Sequence, residues 1–111
     1  LVSPDGCFEY EAAHGTVTDH FYRWRRGEKV STNPLATLFA WSGALRKRGE
    51  LDGNGELVRF AGCLEQAGLD VFEAGHFSED LTMLCDRTEY VDQPDNETML
   101  RLIRERVEEI F

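Results

Sequence analysis

A small α/β unit, built from a β-hairpin and a long loop followed by three main helices, is the fold class that the sequence predicts. Three observations predict it. A Pro4-Asp5-Gly6 turn precedes a loose alternation around Phe8 and Tyr10. The stretch from His14 to Thr32 shows no period. From Asn33 onward, apolar residues recur every three or four positions between well-marked ends.

Length and composition set the frame. With 111 residues there is room for one domain and one modest core, and 41% hydrophobic content is ordinary for a globular chain. Apolar runs fall far short of the roughly 20 residues that span a bilayer, so no membrane partner is expected. The formal charge of −9 argues against nucleic acid, which rewards clustered Lys and Arg. Cys7, Cys63 and Cys85 are far apart and show no C-x-x-C spacing. They read as reduced thiols of an intracellular protein rather than a disulfide framework or a zinc site. The opening Leu1-Val2-Ser3 has the look of a strand entering a turn, and the chain is expected to be one segment, 1–111, of something longer.

The elements follow in order. The second hairpin strand places Phe8, Tyr10 and Ala12 on one face and breaks at His14-Gly15-Thr16. A loop then runs to Thr32, with one helical turn near Thr18 to Trp24; a loop of that length in a compact domain is usually functional. The first main helix is announced by Asn33 as N-cap and Pro34 at the first helical position. Leu35, Leu38, Phe39, Ser42 and Leu45 keep helical spacing, and Phe39, Trp41 and Leu45 are expected in the core. Arg46, Lys47 and Arg48 suit a helix end, with Gly49 as its left-handed stop. The second helix follows Leu51-Asp52-Gly53-Asn54 and ends at Gly75, with Gly62 and Gly68 as expected points of close backbone contact. Phe77 to Cys85 is expected to hold a short turn capped by Ser78. The third main helix, about Asp95 to Ile110, gathers Leu100, Ile103, Val107, Ile110 and Phe111 on one face.

Two blocks say more than periodicity does. Glu11-Ala12-Ala13-His14-Gly15-Thr16-Val17-Thr18 is followed, after a loop, by Ser31-Thr32-Asn33-Pro34-Leu35-Ala36-Thr37-Leu38-Phe39-Ala40-Trp41. They closely resemble the nucleotide-binding segment of the homodimeric NADP-dependent isocitrate dehydrogenases, E-A-A-H-G-T-V-T-R-H and S-T-N-P-I-A-S-I-F-A-W, in the same order and at the same spacing. Leu51-Asp52 and Ser78-Glu79-Asp80-Leu81 continue the match against L-D and T-K-D-L. The resemblance is strong from about Pro4 to Leu84 and weakens after Arg87.

The resemblance implies the C-terminal part of the isocitrate/isopropylmalate dehydrogenase-type fold, within its large cofactor-binding domain. It implies oxidative decarboxylation of isocitrate to 2-oxoglutarate with hydride transfer to a dinucleotide, in a homodimer of the cytoplasm or the mitochondrion. It also implies that His14, Gly15, Thr16, Val17, Thr18, Asp19, His20, Asn33 and Asp80 line the adenosine side of the cofactor. The catalytic residues and the ligands for Mg²⁺ or Mn²⁺ lie upstream of this segment in the family, so no catalytic or metal residue is assigned here. The residues themselves agree: Gly15 permits close backbone approach to a ligand, loop N–H groups can cradle a ribose or phosphate, and the Asn33 carboxamide offers a donor and an acceptor to an adenine edge. The plain alternatives are a structural histidine at His14 and a simple cap at Asn33.

One departure bears on the cofactor. The NADP enzymes carry Arg before the second histidine, where it pairs with the 2′-phosphate; here that position is Asp19. Glu79 likewise stands where the family has Lys. A carboxylate repels the phosphate and accepts from a free 2′-hydroxyl, so NAD is expected over NADP. The retained His20 leaves room for residual NADP binding, and Arg23 or Arg25 in the loop could compensate for Asp19. The alternative function is a non-catalytic helical binding module derived from the same fold.

Overall fold

The computed structural model describes residues 1–13, 15, 17–78, 82 and 92–111. Among them the regular elements are four helices: α1 (Val17–Arg25), α2 (Leu35–Asp52), α3 (Gly55–Glu73) and α4 (Asn96–Ile110). α3 lies between α2 and α4 and packs against both. The core forms where the three meet: Leu35 and Leu38 from α2, Ala67 and Val71 from α3, and Met99, Ile103 and Val107 from α4. Full burial of a side chain such as Met99 or Ile103 is worth about 1.5–3 kcal/mol.

The expected β-hairpin, and with it the α/β class, is not borne out. The turn forms, with Gly6 at φ 86°, Ser3 N–H donating to Cys7 O at 2.9 Å and Glu9 N–H to Leu1 O at 3.0 Å. Pairing nevertheless amounts to a single antiparallel bridge, Val2 with Phe8. Beyond that point the arm lies on α2 instead. The Tyr10 ring sits so close to Gly43 that a Cβ there would come within 2.8 Å of it, and Lys47 Nζ stands 4.4 Å from the Phe8 ring centroid. The alternation of Phe8 and Tyr10 is therefore that of an extended arm seated on a helix.

The long loop is also corrected in part: the single turn expected near Thr18 to Trp24 is the nine-residue α1. Asp19 in its first turn and Arg23 and Arg25 in its last favour the helix dipole. The helix was hard to read because none of its residues is buried and it packs on no other helix among the described residues. Its Phe21 ring meets Tyr22 edge-on at 5.7 Å and lies 6.2 Å from Trp24. Gly27, at φ 84°, ends it, and Glu28 accepts from Arg23 Nε at 3.0 Å and Arg26 Nε at 2.9 Å.

At the start of α2 Asn33 caps through its side chain, accepting from Leu35 N–H at 2.9 Å, with Pro34 itself in helical conformation at φ −79°. Gly49 is not the stop. The helix runs through it to Asp52 and ends at Gly53, φ 65°. Gly49 is needed for close approach to α3, since a Cβ there would meet Val58 Cγ2 at 2.8 Å and Asn54 O at 3.0 Å. The basic cluster consequently sits inside the helix, and each member pairs with an acid: Arg46 with Glu65 at 2.5 Å, Lys47 with Glu50 at 3.5 Å, and Arg48 with Asp52. Phe39 and Trp41 were expected in the core but are 38% and 64% exposed; Leu35, Leu38 and the fully buried Ser42 take the inward face. Ser42 donates its hydroxyl to Phe39 O at 3.0 Å and Glu65 at 2.7 Å.

Asn54 caps α3 by accepting from Leu57 N–H at 3.1 Å. Of its two internal glycines, Gly68 does meet α2, with Leu35 Cδ2 2.9 Å from its notional Cβ, whereas Gly62 has nothing within 4 Å. Asp95 caps α4, accepting from Thr98 N–H at 2.9 Å. The inward stripe of α4 is Met99, Ile103 and Val107; Leu100 turns outward, and Phe111, 47% exposed, rests edge-on against Phe60 at 5.5 Å. The turn expected over Phe77 to Cys85 lies largely outside the described residues, within which Thr82 N–H donates to Ser78 O at 3.2 Å. No helix among the described residues is long and apolar enough to cross a membrane.

Candidate functional site

A groove of about 670 Å³ opens between the N-terminal arm, α1, the approach to α2, and the helical body. Its geometry follows from two helical stripes. On α2 and its entry, Pro34, Thr37, Leu38 and Trp41 are spaced by three and four residues, so all four present to one side. On α1, Val17 and His20 are three apart and face the same space. Ala12 from the arm, Leu64 from α3, and Asn96 with Leu100 from α4 close the remaining sides, and Thr32 and Asn33 form the rim.

The lining is an apolar floor with a few polar groups: an indole, an imidazole, two carboxamides and two threonine hydroxyls. Such a surface suits a flat heteroaromatic ring with a polar edge, held by stacking and a few directional hydrogen bonds. Beside it, the Asp95 carboxyl is held below the ordinary range by Thr98 N–H, then by the Thr98 hydroxyl and the nearby Lys29 and Arg101 charges.

Of the residues expected at the site, Val17, His20 and Asn33 are brought together on the groove wall. Gly15, Thr18 and Asp19 are exposed and lie off the lining. On α1 a residue one position from His20 is turned by about 100°, which carries Asp19 off the side of the helix that Val17 and His20 present to the groove. His14, Thr16 and Asp80 lie outside the described residues. Arg23, one candidate to compensate for Asp19, has its Nε on Glu28. The groove also holds residues that the sequence reading did not assign to a site: Thr32, Thr37, Trp41, Asn96 and Leu100. Trp41 carried a usable signal, being seven positions from Pro34 and hence on its face. Asn96 and Leu100 carried none.

No family model matches the chain. It is 44% identical over 110 residues to the mitochondrial isocitrate dehydrogenase [NADP] of Saccharomyces cerevisiae, an alignment that covers 97% of this chain and 26% of that protein. The chain is homologous to isocitrate dehydrogenases. A second isocitrate dehydrogenase [NADP] of the same yeast is 38% identical over 113 residues, covering the whole chain and 27% of that protein. The mitochondrial isocitrate dehydrogenase [NADP] of Homo sapiens is 50% identical over 82 residues, 73% of this chain. The chain thus spans about a quarter of the length of the yeast isocitrate dehydrogenases it matches.

Proposed function

We propose that this chain is the C-terminal, cofactor-facing portion of an isocitrate dehydrogenase and that its groove takes the adenosine half of the dinucleotide. The observation that carries the reading is the convergence of Val17, His20 and Asn33, from two separated sequence blocks, on one aromatic-walled groove. In this reading the adenine lies along Trp41 and the apolar floor. The Asn33 carboxamide, whose oxygen also accepts from Leu35 N–H, addresses its edge, and His20 stands toward the ribose. Gly15 and Thr18, exposed beside the groove-lining residues, belong to the same matched block, and His14, Thr16 and Asp80 are assigned to the site by the resemblance alone. The chemistry of the whole enzyme is oxidative decarboxylation of isocitrate to 2-oxoglutarate, with hydride passing to the nicotinamide. Residues outside this chain hold the Mg²⁺ or Mn²⁺ and the substrate; the work of this chain is to bind and orient the cofactor. A homodimer of the cytoplasm or the mitochondrion is the assembly and setting that go with it.

The relatives are named for NADP. Our reading departs from them at Asp19 and Glu79 and assigns a preference for NAD. Two like charges about 4 Å apart cost roughly 1 kcal/mol in water-like surroundings and about 4 kcal/mol at an effective dielectric near 20. That range corresponds to a discrimination of roughly fivefold to several hundredfold, and loss of the arginine's attraction for the phosphate adds to it. Because Asp19 is exposed on the first turn of α1, the lower end is the better guide.

The test is isocitrate-dependent reduction of NAD and NADP, measured side by side with Mg²⁺ on the natural polypeptide that contains this chain. NAD should lead, and Asp19→Arg with Glu79→Lys should raise NADP affinity about tenfold or more. An unchanged NADP affinity in that double variant removes the reading of Asp19 while leaving the enzyme class intact. A natural polypeptide that neither binds dinucleotide nor oxidises isocitrate would make the groove that of a helical binding module.

A further inference from the structure

Residues 26–34 connect α1 to α2 and deliver Asn33 to the groove. One end of this connection is weakly anchored, because α1 packs on no other helix among the described residues. The other end is held from a distance. Asn96 Oδ1 accepts from Ser31 Oγ at 3.0 Å and from Thr32 N–H at 3.2 Å, across 65 and 64 positions of sequence. The backbone donor sets the orientation of the carboxamide, since exchanging its oxygen and nitrogen would lose the bond from Thr32 N–H.

Asn96 is itself firmly seated. It is the first residue of α4, directly after the cap that Asp95 makes with Thr98 N–H. Three positions on, Met99 is 1% exposed in the core. A rigid helix start therefore grips the segment immediately before Asn33, and Thr32, Asn33 and Asn96 all line the same groove.

We infer that Asn96 is a positioning residue for the dinucleotide, holding Ser31 and Thr32 so that the Asn33 carboxamide stands at the groove wall. The inference rests on the groove being the adenosine site.

The experiment uses the natural polypeptide and the variants Asn96→Ala, Ser31→Ala, their combination, and Asn96→Asp. NAD binding is measured by titration calorimetry, alongside KM for NAD, KM for isocitrate, and kcat. Asn96→Ala should weaken NAD binding about three- to tenfold, the range that one or two net hydrogen bonds supply. KM for NAD should rise in proportion, with KM for isocitrate and kcat unchanged. Ser31→Ala should give a smaller effect, and the combination should be no weaker than Asn96→Ala alone, because both act through one tether. Asn96→Asp keeps oxygens that accept from both donors and should bind close to the unaltered protein. Normal NAD binding in Asn96→Ala overturns the inference, as does a rise in the isocitrate KM in step with that for NAD. If the unaltered polypeptide binds neither NAD nor NADP, the adenosine assignment itself falls and takes this inference with it.

Discussion

Two glycines in the helical body should respond to the same substitution with opposite signs. Gly49 and Gly62 both lie inside helices, α2 and α3 respectively, so replacing either by Ala gains about 1 kcal/mol of helix propensity. At Gly62 nothing lies within 4 Å of the added methyl, and that gain should appear as stabilisation of about 0.5–1 kcal/mol. At Gly49 the methyl would stand 2.8 Å from Val58 Cγ2, 3.0 Å from Asn54 O and 3.1 Å from Val58 N. Carbon contacts are comfortable only at about 3.5–4.0 Å. Val58 could turn its side chain away, but Asn54 O and Val58 N belong to the backbone at the start of α3. Relief therefore requires α3 to shift. Overpacking of that kind costs about 1–3 kcal/mol, which exceeds the propensity gain. Urea and thermal melts of the natural polypeptide should show Gly62→Ala above the unaltered protein and Gly49→Ala below it. Midpoints displaced in the same direction would refute the reasoning.

Two further outcomes follow from the structure. Burial pushes the Glu65 carboxyl up, yet the Ser42 hydroxyl and the Arg46 guanidinium outweigh it and hold the group below its ordinary 4.5. A folded-state value below the unfolded one stabilises above the unfolded value and loses that contribution as pH falls through the folded one. The melting temperature should therefore decline on acidification below about pH 4.5, with the lowered Asp5, Glu28, Asp70 and Asp95 acting in the same sense. Glu65→Gln should flatten part of the decline, and an unaltered acid limb in that variant would count against the Ser42–Glu65–Arg46 account. For the groove, Trp41→Phe should abolish a change in tryptophan fluorescence on adding NAD, whereas Trp24→Phe should preserve it, because Trp41 lines the groove and Trp24 does not. A signal that instead disappears with Trp24 would place the ligand elsewhere.

What could be read in advance was whatever is decided within a few residues. Asn54 and Asp95 cap their helices, and Asn33 caps while lining the groove, because an N-cap depends only on the next three N–H groups. Where two elements must meet, local rules chose wrongly. Gly49 and Gly53 are equally good stops by composition, and contact with Val58 and Asn54 decided which one became the stop. The hairpin failed for the complementary reason: its turn is local and formed, but a strand needs a partner, and the arm found α2. Trp41 was placed inside because a large aromatic on an amphipathic helix usually is; its position on the stripe with Pro34, Thr37 and Leu38 turns it toward the groove. Val17, His20 and Asn33 were legible through the two matched blocks. Asn96 was not, since its partners lie 64 and 65 positions away.

The arm seated on α2 works as a gauge. Phe8 and Tyr10 are two residues apart on extended chain, a span of about 6.6 Å. Their seats, Lys47 and Gly43, are four apart on a helix, a span of about 6 Å. The two rulers agree only when the arm runs opposite to the helix and in this frame, for a slip of two residues would bring Gly6 or Ala12 to a seat shaped for a ring. Since Ala12 forms part of the groove wall, the same slip would displace that wall by about one ruler division, roughly 6–7 Å. Two aromatic rings on the outer side of α2 thus set the width of a binding site on the other.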